Sequence, residues 1–370
     1  MIERSTHTDS TKKHDSRYDI MRIFAFFCVT AVHFFLNSGF YGIVVNGLAM
    51  GILLTVRNIF MICVPLFLIL TGMLMCRKKV SRVYYRGIIH TLVTYISASF
   101  VIWIFRSVCT QERIRFVQFI FGVFGFSSAP YAWYVEMYIG LFLMIPFLNG
   151  AYHSLTSKGQ KRALICTMIV IAALPNILNV YPIQASLGFV DSFDQRDKLL
   201  PSFWLSLYPI MYYFIGCYLR EYNPVIKKAR VIGIFITVAA VNGVYNYAMN
   251  AGRPFMWAQW CEYGSFPIML MATLATLFFL SLDTSGLSSK VSSALSYISR
   301  YCFGAYLLSF IMDAVVYRVL GNMVPVVEKR FVWAPVVVLA VFIGSLCMAS
   351  ILDRAVTQFI KLIPGNKSNG

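Results

Sequence analysis

The sequence predicts an all-α, polytopic integral membrane protein with about ten transmembrane helices. Apolar residues fill 59% of the 370 positions and charged residues only 13%, whereas a typical soluble domain has roughly 45–50% apolar and about 25% charged residues. The apolar residues also occur in long runs, and a helix that crosses a bilayer needs about 20 of them. This composition excludes a cytosolic enzyme, a disordered tail and a disulfide-rich secreted scaffold.

Ten apolar runs have the length that a membrane span requires, and polar or basic segments separate them. In chain order they are residues 20–37, 52–75, 87–106, 131–150, 162–180, 203–219, 231–249, 264–282, 299–319 and 332–352. A further apolar stretch, 116–126, is too short to span and predicts an interfacial or re-entrant segment. We therefore expect an N-terminal tail over 1–17, a ten-helix membrane domain over 18–356 and a C-terminal tail over 357–370.

Basic residues are concentrated in every second connection. Residues 77–86, 158–162 and 220–230 follow the second, fourth and sixth spans and are rich in Lys and Arg. With the N-terminus in the cytoplasm, 22 of the 32 Lys and Arg residues fall on the cytoplasmic side, in agreement with the positive-inside rule. An even number of spans returns the C-terminus to the cytoplasm. We expect a multi-pass, N-in/C-in protein of the cell (plasma or inner) membrane, with the longest outer connection at about 181–202.

The basic net charge and the cysteines do not point to nucleic acid or metal. The charge of +17 comes from short clusters between apolar runs, with no basic helix that carries interleaved aromatics. The nine cysteines lie mostly within apolar runs and lack CxxC or Cys/His spacing, which predicts small buried hydrophobes. Cys109 and Cys261 could meet on the outer side. No nucleophile elbow, Walker loop or HExxH motif supports a hydrolase or an ATP-driven pump.

Two ionisable residues of the first span share one helix face. Arg22 and His33 are eleven positions apart, which is three turns plus about 20° and about 16 Å along the axis. Arg22 would lie at the cytoplasmic mouth, where a permanent cation can hold an anion, and His33 deeper, where an imidazole can exchange a proton. Alternatively, Arg22 extends to the interface and His33 packs against a neighbouring helix, and the spacing alone does not decide.

A second basic series enters the third span. Arg82, Arg86 and His90 stand at i, i+4 and i+8, so they form one stripe that suits phosphates. The positive-inside rule explains Arg82 and Arg86 without a ligand, and a hydrogen bond between helices would satisfy His90.

Three more ionisable residues lie in predicted spans, on what we take as the acceptor side. Glu136 would orient an acceptor hydroxyl or pair with Arg57. Asp313, with Ser309 one turn before it, would line a cavity or hydrogen-bond between helices. Both interpretations stay open for each carboxylate.

The opening RYDIMRIFAFFCVTAVHFF resembles the first span of the membrane acyltransferase 3 family, in which a basic residue and a histidine are separated by ten residues, as Arg22 and His33 are here. Further blocks resemble the family's motifs in the expected order: VPLFLILTGMLM (64–75), AWYVEMYIGLFLMIPFLN (132–149), YPIMYYFIGCYLREY (208–222) and SRYCFGAYLLSF (299–310). The chain departs at two positions. His90 replaces the second arginine of the pair that opens the third span, and Ser309 replaces a histidine in the ninth.

The resemblance implies transfer of an acyl group, usually acetyl from acetyl-CoA, to a hydroxyl of a glycan. It implies that His33 is a general base or a transient acyl carrier, and that Arg22 and Arg86 bind the coenzyme's phosphates or hold His33 in its working protonation state. His90 and Arg82 join them on the donor side. The expected partners are acyl-CoA, a glycan or lipid-linked saccharide acceptor and membrane lipids, with no metal and no nucleic acid.

An alternative from another class is a secondary transporter or an exporter of a lipid-linked glycan. Its translocation path would comprise Arg22, Arg57, Glu136 and Asp313. A transporter should have its binding site near the midplane, between two related halves. An acyltransferase needs its cations concentrated at the cytoplasmic end, which is the distribution that the sequence favours.

Overall fold

The structure, a computed structural model, describes residues 14–181, 184, 187, 197–257 and 260–362. Within these residues the backbone is largely helical and has no β-strand, only two isolated β-bridges. The α-helices are Ser16–Asn37 (α1), Gly47–Phe60 (α2), Cys63–Met75 (α3), Arg82–Arg86 (α4), Ile88–Cys109 (α5), Phe116–Phe124 (α6), Trp133–Ser154 (α7), Lys158–Ala172 (α8), Pro175–Leu178 (α9), Tyr208–Tyr222 (α10), Lys228–Asn250 (α11), Phe266–Leu280 (α12), Ser289–Met323 (α13) and Ala334–Leu362 (α14). Parts of the predicted tails (1–13 and 363–370) and of the predicted outer connection (188–196) lie outside the described residues.

The predicted class, an all-α polytopic membrane protein, is confirmed. Eight helical segments of the described chain are long and apolar enough to cross a membrane, and they correspond to all the predicted spans except the sixth and the eighth. Those two are α10 and α12, each 15 residues long. The short apolar stretch predicted at 116–126 forms α6, whose nine residues cannot cross a bilayer.

Helix α1 lies at the centre of the bundle. It packs against α2, α3, α12, α13 and α14, and its residues Phe26, Cys28 and Phe34 are almost inaccessible. Because protein surrounds this helix over most of its length, its ionisable side chains contact other helices instead of lipid. This position is the one expected for a helix that carries functional charges.

Two glycines from separate motif blocks let α3 and α10 meet backbone to backbone. A Cβ atom at Gly72 would lie 2.1 Å from the carbonyl oxygen of Tyr213, and one at Gly216 would lie 2.1 Å from that of Ile69. No side chain fits at either position. Small residues allow helices to pack closely inside a membrane, so the glycines of both motifs have a structural explanation.

A proline in α7 explains a second contact between helices. Pro146 has no N–H, so the carbonyl of Phe142, four residues earlier, loses its helical partner. The hydroxyl of Tyr84 donates to that carbonyl over 2.6 Å. One turn further, Asn149 donates to the carbonyl of Met75 over 2.9 Å. Both bonds tie α7 to the segment around α3 and α4, and they satisfy backbone groups where water is scarce.

The nine cysteines all lie within the described residues and are free thiols. Cys109 is exposed and Cys261 is buried, so the pairing that their predicted location allowed does not form. Most of the others are buried as predicted, whereas Cys166 and Cys347 are exposed.

Candidate active site

The imidazole of His33 and the carboxylate of Asp313 meet in the protein interior. His33 extends from α1 and Asp313 from α13, and Nδ1 of the histidine lies 3.0 Å from Oδ2 of the aspartate. Only 7% of His33 and 3% of Asp313 is exposed. Nδ1 has no aligned hydrogen-bond partner, so the contact is a close electrostatic one. We call these two residues the His33–Asp313 pair.

Tyr131, two residues before α7, covers this pair. Its hydroxyl donates to Oδ2 of Asp313 over 2.8 Å, and its ring centroid lies 4.0 Å from that of the imidazole. Because a carboxylate oxygen lies beside Nδ1, the tautomer of the imidazole with its proton on Nδ1 is the one that fits this contact. Nε2 is then the basic nitrogen of His33.

A cavity of about 440 Å³ runs beside α1 from Arg22 to Val29. Helices α3, α5, α7, α13 and α14 supply its other walls. Its ionisable lining is Arg22, His90, Arg300 and Asp353, together with aromatic residues Phe67, Tyr134, Tyr138, Tyr301 and Tyr306. The charged groups lie at the Arg22 end of α1 and the inner walls are aromatic and aliphatic.

The charged end of the cavity is an organised network. Arg22 donates from Nη1 to Oγ of Ser299 over 2.6 Å and lies 3.8 Å from Asp19. Asp353 lies 3.5 Å from Nε2 of His90 and also pairs with Arg300. Three basic side chains therefore surround the opening, whereas among the described lining residues the carboxylate is Asp353. The opening can hold an anion such as a phosphate.

The cavity ends one helical turn before the His33–Asp313 pair. Val29 in its wall is four residues before His33, a rise of about 6 Å. Tyr306, also in the wall, hydrogen-bonds the backbone carbonyl of Tyr131. Tyr306 therefore links the cavity wall to Tyr131, whose ring packs on the imidazole.

The remaining predicted site residues are spread over the bundle. Arg82 and Arg86 on α4 are exposed and do not belong to the described lining of the cavity. Glu136 is exposed in the first turn of α7 and forms no ion pair with Arg57 among the described residues. Arg57 is fully buried in α2, near the end of α1 opposite Arg22.

Sequence reasoning missed three residues of the site. Arg300 and Asp353 belong to the charged opening, and Tyr131 covers the imidazole. A signal was present for Arg300, because it follows Ser299 in the SRYCFGAYLLSF block that resembles a family motif. Tyr131 immediately precedes the block that begins at Ala132.

Fold and site together define a multi-pass membrane protein in which a charged cavity leads towards a buried histidine–carboxylate pair. The acyltransferase 3 model, described as an acyltransferase domain, matches residues 15–350. The chain belongs to the acyltransferase 3 family and is a membrane acyltransferase, as the motif resemblance predicted. No curated protein and no solved structure matches it.

Proposed function

We propose that this membrane acyltransferase moves an acyl group, which we take to be acetyl, from cytoplasmic acyl-CoA to a hydroxyl of a cell-surface or lipid-linked polysaccharide. The order of groups along α1 is the observation that carries the proposal. Arg22 lies at the charged opening, Val29 in the cavity wall and His33 beside Asp313 one turn beyond. A donor with phosphates at one end and a thioester at the other fits this order.

On the donor side, Arg22, Arg300 and His90 would hold the phosphates at the opening. Arginine forms charge-assisted hydrogen bonds to phosphate oxygens, and Asp353 keeps Arg300 and His90 next to each other. The cavity of about 440 Å³ suits the extended thioester arm, with the nucleotide left outside. Arg82 and Arg86 would contribute longer-range attraction from the exposed α4.

On the acceptor side, His33 would act as the general base. Nε2 takes the proton of the acceptor hydroxyl, the oxygen attacks the thioester carbonyl, the carbon–sulfur bond breaks and the coenzyme leaves as a thiol after receiving that proton. Asp313 stabilises the imidazolium that forms in between. In the second route, Nε2 attacks the thioester carbonyl and the coenzyme leaves as a thiolate; the acceptor hydroxyl then attacks the acyl-imidazole, the bond from the acyl carbon to Nε2 breaks, and the hydroxyl proton goes to the thiolate, so that His33 is a carrier.

The proposal takes the Arg22 end as cytoplasmic, where acyl-CoA is made. The excess of Lys and Arg in the connections 77–86, 158–162 and 220–230 supports this orientation. The same asymmetry argues against the transporter alternative, because the ionisable lining of the cavity is concentrated at one end instead of near the midplane.

Glycan mass spectrometry on a strain that lacks the gene, complemented with variants, tests the proposal. We expect the deletion to remove one acyl group per modified sugar, and the mass lost identifies the group. Wild-type protein should restore the modification and His33→Ala should not. His153→Ala is the matched control. His153 lies in α7, away from the pair, and hydrogen-bonds the backbone carbonyl of Cys76. Unchanged glycans in the deletion strain would refute the proposal.

A further inference from the structure

Arg57 carries a positive charge that no carboxylate of the described chain neutralises. Its side chain is fully buried in α2. Nε donates to the Tyr41 hydroxyl over 3.2 Å and Nη1 to Oδ1 of Asn58 over 2.9 Å. Cζ lies 4.1 Å from the ring centroid of Trp257 and 5.2 Å from that of Phe255. Aromatic rings and neutral oxygens therefore surround this cation, although a buried charge ordinarily has an ionic partner.

Two hydrogen-bond donors at this position are unused. Nη2 of Arg57 and Nδ2 of Asn58 are both buried and have no hydrogen-bond partner among the described residues. Buried donors without a partner are rare and destabilising. These two unused donor nitrogens, one on the cation and one on the neighbouring amide, suit an oxygen anion. Carboxylates and phosphates accept from guanidinium and amide donors together.

A separate pocket of about 270 Å³ adjoins this cation through Trp257. Its walls include the rings of Tyr208 and Tyr263 and the polar side chains of Asn176, Ser206 and Glu262. Aromatic faces combined with amide, hydroxyl and carboxylate groups suit the apolar face and the hydroxyls of a sugar ring. Trp257 is 37% exposed and is the residue that the pocket and the cation share.

The pocket is connected to the His33–Asp313 pair by a short segment. The ring of Tyr263 stacks on Trp133 at a centroid distance of 5.5 Å. Two residues earlier in the chain, Tyr131 packs on His33. The sugar-sized pocket therefore approaches the imidazole along Trp133 and Tyr131, whereas the donor cavity approaches it along Val29.

We propose that Arg57 and Asn58 bind a carboxylate or phosphate group of the acceptor, and that the adjoining sugar ring occupies the Trp257 pocket. Arg57 and Asn58 are fully buried and Trp257 packs on Arg57 at the edge of the pocket, so in this proposal the Trp257 side chain moves aside when the anion reaches Nη2 and Nδ2. The identity of this ligand as the acceptor rests on the proposed function. The anion site itself rests on the buried cation and its unused donors.

Binding measured on the purified protein without acyl-CoA tests the site. The probes are glucuronic acid, glucose 1-phosphate and glucose, which share a ring and differ in charge. We expect at least one anion to bind at least about 10-fold more tightly than glucose, and Arg57→Gln to remove that preference, a loss of about 10–150-fold. Preference for glucuronic acid would indicate an acidic sugar, and preference for the phosphate a phosphate-linked one.

Three further variants keep the test decisive. Arg106→Gln is the control, because Arg106 pairs with Glu112 elsewhere and its loss should leave all three affinities unchanged. If Arg57→Gln does not fold, Arg57→Lys should keep a weaker preference, and Trp257→Ala should weaken the binding of all three sugars. Equal affinity for glucose and both anions, or an unaltered preference in a folded Arg57→Gln protein, would overturn the site.

Acyl-transfer assays on the same variants separate the site from the proposed function. Arg57-dependent anion binding in a protein that transfers no acyl group to glycans would refute the function and leave the site. If acyl transfer requires His33, but Arg57→Gln leaves its rate unaltered for charged and neutral acceptors alike, the acceptor site would be refuted and the proposed function would stand.

Discussion

Asp313→Asn is the sharpest test of the His33–Asp313 pair. The substitution keeps the size of the side chain and removes the charge 3.0 Å from Nδ1 of His33. At an effective dielectric constant of about 20, two unit charges at this distance attract by about 5–6 kcal/mol. The imidazolium forms only in part in the transition state, so we take about half of that energy. A loss of about 3 kcal/mol lowers kcat about 150-fold.

The assay is acyl transfer by purified protein in vesicles, with donor binding measured separately. The KM for acyl-CoA should change little, because the cavity opening at Arg22 lies at the other end of the cavity from the pair. Asp283→Asn is the control, since this exposed carboxylate only caps the backbone N–H of Ser285. His33→Ala combined with Asp313→Asn should be no worse than His33→Ala alone, because residues that act as a unit are not additive.

Full kcat in a folded Asp313→Asn protein would refute the role of the carboxylate. Additive losses in the double variant would show that the two residues act separately. A variant that only unfolds at lower temperature would mean that the contact between α1 and α13 is structural.

The remaining predictions concern the donor, the helix packing and the topology. Arg300→Gln should weaken acyl-CoA binding about 10–150-fold in a binding assay, because a charge-assisted phosphate contact is lost, and an unchanged Kd would remove Arg300 from the donor site. Gly72→Ala should lower the free energy of unfolding by about 3 kcal/mol or more, since its Cβ would meet a carbonyl oxygen at 2.1 Å; Gly140→Ala, which meets nothing within 4 Å, should be tolerated. In a variant without exposed cysteines, a thiol at Lys79 should react with an impermeant maleimide only from the cytoplasmic side and one at Lys198 only from outside, and the opposite result would invert the proposed orientation.

The membrane class and the position of eight of the ten predicted spans could be predicted because hydrophobicity is a local property. Each span is one apolar run, and its length is set by the bilayer. The shared face of Arg22 and His33 could also be predicted, since helix geometry fixes it over three turns. In the structure, Arg22 and Val29 of α1 line the cavity, and His33 lies one turn beyond Val29.

The contacts between helices could not be predicted in this way. Asp313 and His33 are 280 positions apart, and their contact depends on how α1 packs against α13. From the sequence, Asp313 would line a cavity on the acceptor side or hydrogen-bond between helices, and nothing in the sequence pairs it with His33. Arg300 was missed for a different reason, because a basic residue at a predicted cytoplasmic helix end needs no ligand to explain it.

Several residues of the motif blocks serve helix packing. Gly72 and Gly216 belong to blocks that resemble the acyltransferase 3 motifs, yet neither residue lines the described donor cavity. Each excludes a side chain where α3 and α10 touch. Pro146 in a third block leaves the backbone carbonyl of Phe142 without a helical donor, and this carbonyl accepts from the hydroxyl of Tyr84. Residues of these blocks can therefore hold the helices in place without taking part in the chemistry.

The order of groups along α1 links the two ends of the proposed reaction. Arg22 meets the charged cavity opening and His33 meets Asp313, and beyond the end of α1 the hydroxyl of Tyr41 contacts Arg57. In the proposed reaction the donor would approach His33 along Val29 and the acceptor along Trp133, and Tyr131 packs on the imidazole. Water at that point would hydrolyse the thioester, so closely packed rings favour transfer to a hydroxyl that arrives bound. The proposed arrangement, a buried general base with separate approaches for donor and acceptor, would thus suit transfer of an acyl group from a cytoplasmic donor to a bound hydroxyl.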